Sequence, residues 1–449
     1  MDLEPLSREE LIALLQQAFA TIEALQAEVA SLKEEIKRLQ GGPPAKPKPT
    51  VPDFVKPNAP KPQQTPRKKR PHGYSRKRQD PTEVVPHYPS ACSGCGRKLS
   101  GGWLHRVREV IELPATAVKI VHHHVMACHC GVCNRREVAS LDLGEEVVGR
   151  SRLGVRLMSL IAYLDTVCRM PVRLIKRLLS GLFGLSLSLG QISLVLQQVA
   201  QKGEAAYQNL ISQMRASPVV HADETGWRQN GQNGYVWSFS TPSVRVYTGH
   251  EGRSGEVARR MLGADFANVL VTDFYGGYHW YNGRHQYCWV HLLRDLHKLC
   301  EQYPDNADVK AFSVGVKEIY QQATEYSHSD VWARQRQRRT YQTRLLALAR
   351  AHQGADRKER VLAQRLLKHV WGLFVFVENP AVPAHNNAAE RAIRPLVVVR
   401  KVSGGSRSET GTKTVATLMS LFGTWQVRGA DLLQQCQLML QTNPKPQHT

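Results

Sequence analysis

At 449 residues, 42% of them hydrophobic, the chain is long enough for two or three globular units with real cores. Its 60 Lys and Arg against 38 Asp and Glu leave a formal charge of +22; that favours a polyanionic partner, nucleic acid before an acidic membrane surface. No run of 18 apolar residues occurs, so no spanning helix is expected, and nine cysteines, an odd number in clusters, suit a reducing compartment and metal binding better than a disulfide framework.

The start, Met1-Asp2-Leu3-Glu4, is acidic and lacks a signal-peptide pattern. Residues 1–40 then carry a coiled-coil pattern. Leu15, Ile22, Val29 and Ile36 share one heptad position, and Leu11, Ala18, Leu25, Leu32 and Leu39 share the other. β-Branched residues at a with leucine at d favour a parallel dimer, and Glu28 at g can pair with Lys33 at e of a partner. The competing reading is an amphipathic helix packed on its own chain. Residues 41–84 form a basic linker. Between 41 and 80, ten prolines and eleven Lys or Arg against two acids forbid a packed core. Arg67-Lys68-Lys69-Arg70 and Arg76-Lys77-Arg78 can neutralise phosphates without reading sequence, or simply keep a spacer soluble.

Residues 85–140 contain Cys92-Ser93-Gly94-Cys95 and Cys130-Gly131-Val132-Cys133. Two such knuckles can make one tetrahedral Cys₄ zinc site, with Cys128 a substitute for Cys130; a redox pair is the rival. His122, His123 and His124 lie in an alternating, strand-like run. Residues 141–215 are expected to be helical. A helix from Pro171 to Leu179, glycines 181 and 184, and a capped start at Ser188-Leu189-Gly190-Gln191 give the outline of a helix-turn-helix and of a DNA-binding domain.

Residues 216–300 alternate strands with turns. Pro218 to Asp223 and Asn268 to Asp273 each deliver an acid at or near a carboxyl end. Gly234–Ser240 and Ser243–Tyr247 supply two more strands, and Ser254 to Leu262 a helix. That order, three strands, a helix and a fourth strand, is RNase H-like and sets the first and fourth strands side by side. Asp273-Phe274-Tyr275-Gly276-Gly277-Tyr278 also fits a plain glycine turn with an Asp cap. Cys288 and His291 fit core packing better than a metal half-site. Residues 301–380 are helical and basic, an insertion, and 381–430 complete the core, with 431–449 a tail.

The stretch Ala384 to Pro395 carries the third acid. It fits a helix with Asn387 as N-cap, Glu390 closing a capping box or pairing with Arg394, and Pro395 as its end. Two aspartates on neighbouring strands and a later glutamate are also what a two-metal phosphoryl-transfer site needs, because hard Mg²⁺ takes carboxylate oxygens. Ser403-Gly404-Gly405-Ser406-Arg407 fits phosphate contact or a plain glycine loop.

His221-Ala222-Asp223-Glu224-Thr225, Asp273 to Tyr278, Cys288-Trp289-Val290-His291 and Asn386 to Pro395 occur in an order that resembles the IS-sixty-six family of bacterial insertion-sequence transposases. The resemblance covers nearly the whole chain. It implies a multidomain α+β chain with an RNase H-like DDE core, in which Asp223, Asp273 and Glu390 hold two Mg²⁺ (or Mn²⁺). Glu224, beside Asp223, leaves open which acid faces the metals. It also implies binding to terminal inverted repeats and target DNA, strand cleavage and strand transfer, and a cytoplasmic, nucleoid-associated protein. Arg391, Arg394, Lys401 and Arg407 join the linker cations as expected DNA contacts. One structural Zn²⁺, a homodimer or higher oligomer, and accessory proteins of the same element complete the expectation. The alternatives are an RNase H-like nuclease without strand transfer and a DNA-binding protein without catalysis.

Overall fold

A computed structural model describes residues 17, 20–32, 80–111, 118–354 and 356–441. The linker cations Arg67, Lys68, Lys69, Arg70, Arg76, Lys77 and Arg78 lie outside the described residues, as do the outer heptads of the N-terminal pattern. The chain divides into two units, Met1–Glu112 and Leu113–Thr449. The division falls inside the span 85–140, so each cysteine knuckle belongs to its own unit.

In the first unit, helix α1 (residues 20–32) follows the heptad pattern. Its seam residues Ile22, Leu25, Val29 and Leu32 are about half exposed. Farther on, the first knuckle closes as a tight turn. Cys92 N–H donates to Arg97 O at 2.9 Å and Gly96 N–H to Cys92 O at 2.9 Å. Gly96 has φ +70°, a conformation glycine adopts without Cβ strain.

The second unit opens with β1 (Ala127–His129) paired antiparallel to β2 (Arg136–Val138). The histidine run 122–124 precedes β1 and is not itself a strand. The second knuckle is the β1–β2 turn and repeats the first. Cys130 N–H donates to Arg135 O at 2.8 Å, Asn134 N–H to Cys130 O at 3.0 Å, and Asn134 takes the left-handed place with φ +53°. Cys130 thus occupies the position of Cys92, while Cys128 sits within β1 opposite Glu137.

Four helices follow: α2 (Val155–Thr166), α3 (Val172–Phe183), α4 (Leu189–Lys202) and α5 (Glu204–Ala216). The expected punctuation is present. Gly184 ends α3 at φ +63°, and Ser188 with Gln191 makes a reciprocal capping box on α4.

The sheet has β3 (Val219–Gln229), β4 (Gln232–Ser240), β5 (Arg245–His250), β6 (Val269–Thr272) and β7 (His285–Tyr287), in the order β5-β4-β3-β6-β7. The first three run as an antiparallel meander; β6 lies parallel to β3, and β7 parallel to β6. Helix α6 (Gly255–Leu262), capped by Ser254, links β5 to β6. The side-chain period of two divides the strands between two cores. Val220, Ala222, Trp237, Phe239, Val246 and Leu270 pack with α5 and α6 on one face. On the other, Trp227, Val236 and Tyr247 pack under α12 (Asn387–Ser403) and α13 (Glu409–Val427), and Val219, Val269 and Val271 form a smaller cluster with Val375.

Between β7 and α12 stand α7 (Trp289–Gln302), α8 (Ala307–Glu325), α9 (Val331–Ala351), α10 (Arg360–His369) and the short α11 (Val375–Glu378). These helices pack around a core of their own, with Trp289, Leu292, Phe312, Leu345 and Phe374. The C-terminal span is no simple tail: α14 (Leu432–Gln441) buries Cys436 and Leu440 in the core of α2, α3 and α4. No helix among the described residues is long and apolar enough to cross a membrane.

Three local expectations are corrected. Asp223 lies in the middle of β3, because β3 continues past it to pair with β4. The N-cap of α12 is Asn386, not Asn387, and its side chain makes no cap bond. Pro395 neither ends nor starts that helix; α12 runs on to Ser403. Proline removes one helical N–H. Close to that gap, the hydroxyl of Tyr247 donates to Ala392 O at 2.6 Å.

Candidate active site

Parallel pairing of β3 with β6 sets Val219 beside Val269, Val220 beside Leu270 and His221 beside Val271. The pairing stops at His221 and Val271, and an aspartate follows two residues later on each segment, Asp223 within β3 and Asp273 just past the end of β6. Asp223 shares the parity of Val219 and Trp227, so it faces the side covered by α12. Glu224 has the opposite parity and faces α6. Alternation along one strand therefore separates the two neighbouring acids.

Glu224 is fully engaged. Its carboxylate accepts Arg253 Nε at 3.0 Å and the Tyr278 hydroxyl at 2.6 Å. The Arg253 guanidinium stacks 3.7 Å from the Tyr275 ring centroid, and the Tyr275 hydroxyl donates back to Arg253 O. This cluster holds the loop after Asp273 in place. Asp273 Oδ1 accepts Tyr275 N–H at 2.9 Å, so Asp273 is also the turn cap that its local sequence suggested.

Asp223 is pushed up to about 7, first by burial, then by the negative charges of Glu224 and Asp273, with Glu390 adding to them; an N–H bond from Glu224 opposes the shift. The three acids singled out in the sequence therefore act in one electrostatic field. Glu390 stands in the first turn of α12, and its ion pair is to His291 Nε2 at 3.8 Å, not to Arg394. His291 belongs to the first turn of α7.

Asn386 positions these parts. It is buried, and its Nδ2 donates to Ala222 O at 2.8 Å, leaving Oδ1 to accept His221 Nδ1–H at 3.0 Å. Its backbone N–H donates to Cys288 Sγ at 3.2 Å. One side chain and its backbone thus tie β3, the start of α7 and the start of α12 together. Burial holds His221 down to about 4, so it is neutral and its Nδ1 can be the donor. Sequence reasoning missed Asn386, read as a residue before the cap, and His291, read as core. The signal available was their place inside the same short motifs as the acids.

The other end of α12 is fastened differently. Arg400 donates to Thr225 Oγ1 at 3.0 Å and to Gly226 O. The glycine loop after it docks on the β3–β4 hairpin. Ser406 N–H donates to Arg228 O at 2.8 Å, Asn230 N–H to Ser406 O at 2.8 Å, and Trp227 Nε1 to Ser406 Oγ at 3.0 Å. The loop therefore sits at the end of β3 remote from Asp223 and uses its polar groups for pairing. Arg391, Arg394, Lys401 and Arg407 are all exposed.

At the knuckles, backbone N–H groups lower the Cys92 and Cys130 thiols: that of Gly94 foremost for Cys92, and that of Cys133 for Cys130. Among the described residues, no three His, Cys, Asp or Glu side chains converge closely enough to hold one ion as they stand.

The chain belongs to the Transposase IS66 family, whose sequence profile matches residues 150–414. It is also similar to two proteins of Sinorhizobium fredii (strain NBRC 101917 / NGR234). Uncharacterized protein y4jO is 28% identical over 192 residues, 42% of this chain and 57% of the relative. Uncharacterized protein y4jD is 24% identical over 284 residues, 56% of this chain and 55% of the relative. The chain thus spans a little over half the length of these relatives.

Proposed function

We propose that the chain is a DDE transposase that binds the ends of an insertion sequence as double-stranded DNA and cuts and rejoins its strands. The observation that carries this is that Asp223 and Asp273 each follow the last β3–β6 pair by two residues, and that Asp273 and Glu390 both add negative charge at Asp223. The strand order, with a helical insertion before the third acid, supports an RNase H-like core. The negative charges of Asp273 and Glu390 add to the proton affinity of Asp223, and acids crowded in this way fit a divalent cation pair. Two ions would divide these carboxylates between them, so three ligands need not meet at one ion. Bound Mg²⁺ supplies activation of water or a 3′-hydroxyl and neutralises charge on the leaving 3′-oxygen. Asp223, Asp273 and Glu390 would hold the ions, and Asn386 fixes Glu390 relative to Asp223. An intact triad favours this over a DNA-binding protein without catalysis.

The expected result is that Glu390→Gln, Asp223→Asn and Asp273→Asn fold and bind element-end duplex like the parent, yet nick and join it at least ~10³-fold more slowly, several kcal/mol of lost transition-state stabilisation. Normal nicking by Glu390→Gln would refute the assignment. Nicking without joining by the parent would favour the nuclease.

The exposed apolar seam of α1 supports pairing with a second copy. The matching turns support thiolate ligation of zinc at each knuckle, with Cys130, not Cys128, in the place that Cys92 holds in the first. Elemental analysis of protein made under reducing conditions is expected to find zinc that is lost in Cys130→Ser and retained in Cys128→Ser; the reverse pattern would reassign the ligand.

A further inference from the structure

The outline of a helix-turn-helix places DNA reading on the second helix of the pair. Here that helix is α4, and most of it is spent on the fold. Ile192, Val195, Leu196, Val199 and Ala200 are buried, and α4 packs against α2 and α13. Gln191, in its exposed first turn, is committed to the capping box. No charged side chain stands on α4 before Lys202 at its end.

Helix α3 is the opposite case. It is anchored by Ile175 and Leu179, both fully buried. Arg173, Lys176, Arg177 and Ser180, at positions i, i+3, i+4 and i+7, form its exposed face. Among the described residues no carboxylate pairs with any of these three cations, although ion pairs hold cations elsewhere in the unit, as Arg253 with Glu224 and Arg365 with Asp295. Leu174 and Leu182 are exposed beside them. The surrounding surface does not offset the charge. From Arg150 to Gly203 the sequence has eight Lys or Arg and one acid, Asp165. That acid is partly buried, and desolvation pushes it up to about 7.

We propose that α3 is the helix by which this domain grips double-helical DNA, with Arg173, Lys176 and Arg177 on the phosphates and Leu174 available for apolar contact. The inference rests on the DNA-binding part of the function proposed above. A 12-residue helix is about 18 Å long and 10–12 Å wide, which suits a major groove about 12 Å wide. A row of arginine and lysine without internal partners suits a polyanion, and each phosphate neutralised releases counterions.

The test uses the full chain with Arg173, Lys176 and Arg177 all changed to alanine. Binding of a duplex carrying an element end, and of a scrambled duplex, is measured over a series of salt concentrations. The affinity for both is expected to fall at least ~10-fold, and the slope of log K against log salt to flatten by up to ~2.7. The unfolding midpoint should not move, because the three side chains are exposed and unpaired. A second variant, Arg173→Lys with Arg177→Lys, should keep most of the affinity and the salt slope. If the parent binds duplex with a steep salt slope and the alanine variant matches it, α3 is not the grip, while DNA binding by the chain stands. If the parent binds no duplex, or the three substitutions abolish only binding to anionic vesicles, both this inference and the DNA-binding reading fail.

Discussion

The two ends of α12 face the same strand and treat it in opposite ways. At the start, Asn386 spends its amide on β3 and His221, while Glu390 faces the partly exposed His291. At the finish, Arg400 and Ser406 hydrogen-bond to β3 at Thr225, Gly226, Trp227 and Arg228. The first end concentrates like charge, and the second is fastened by hydrogen bonds. Residues of one contiguous motif therefore divide into some that serve chemistry and some that fasten the helix that carries it. A site that crowds carboxylates opposes folding of the metal-free chain, and the docked glycine loop is one of the features that offset it.

The largest expected break in this comparison is Asn386→Ala. It leaves the Ala222 carbonyl and His221 Nδ1 buried without a partner, at about 1–3 kcal/mol each. It also releases Glu390 from Asp223, so strand cleavage should drop at least ~100-fold, since a misplacement of about 1 Å can cost that much. A stability loss with full activity would show that Asn386 only packs.

Asp223→Asn sharpens the contrast from the other side. The folded value near 7 lies above the unfolded one, so the protonated form stabilises the fold. That contribution is complete below the unfolded value and is lost as pH rises through about 7. Metal-free Asp223→Asn should therefore be more stable than the parent at pH 8, by about 2–4 kcal/mol, and little different near pH 4. Mg²⁺ should raise the unfolding midpoint of the parent at pH 8 and not that of the variant. Equal stability at pH 8 would mean that the carboxylate is not crowded.

The smallest effect is expected at the fastened end. Gly405 has φ +112°, and a Cβ there would lie 2.1 Å from Arg228 O. Gly405→Ala should destabilise by about 1–3 kcal/mol. At a temperature where the variant is folded, it should nick DNA at close to the parental rate. Loss of chemistry without loss of stability would place the loop at the reacting phosphates instead.

Much of the fold was legible because its signals are local. The alternating strands, the Ser188 and Ser254 caps and the Gly184 stop are written within a few residues, where propensity and capping act. The α12 boundaries misled for the same reason. Asn387 and Glu390 satisfy a capping-box pattern, but capping is worth only about 1 kcal/mol, and Asn386 gains three tertiary bonds at the junction of β3 and α7. Pro395 reads as a stop, yet a helix held at both ends by β3 tolerates it.

The sequence alone determined which groups are available: three acids, two cysteine knuckles, a heptad seam and an excess of positive charge. It also outlined four of the five strands and set the first beside the fourth, while β7 was not read from it. Only the tertiary structure decided their use. The period of two along β3 turned Asp223 toward α12 and Glu224 toward Arg253. Parallel pairing of β3 with β6 drew together segments fifty residues apart, each with an aspartate two residues beyond the last pair. Burial of α4 left α3 as the cationic face. Each of these depends on which surface a neighbouring element covers, and that is fixed by packing between segments far apart in sequence, where no local pattern can record it.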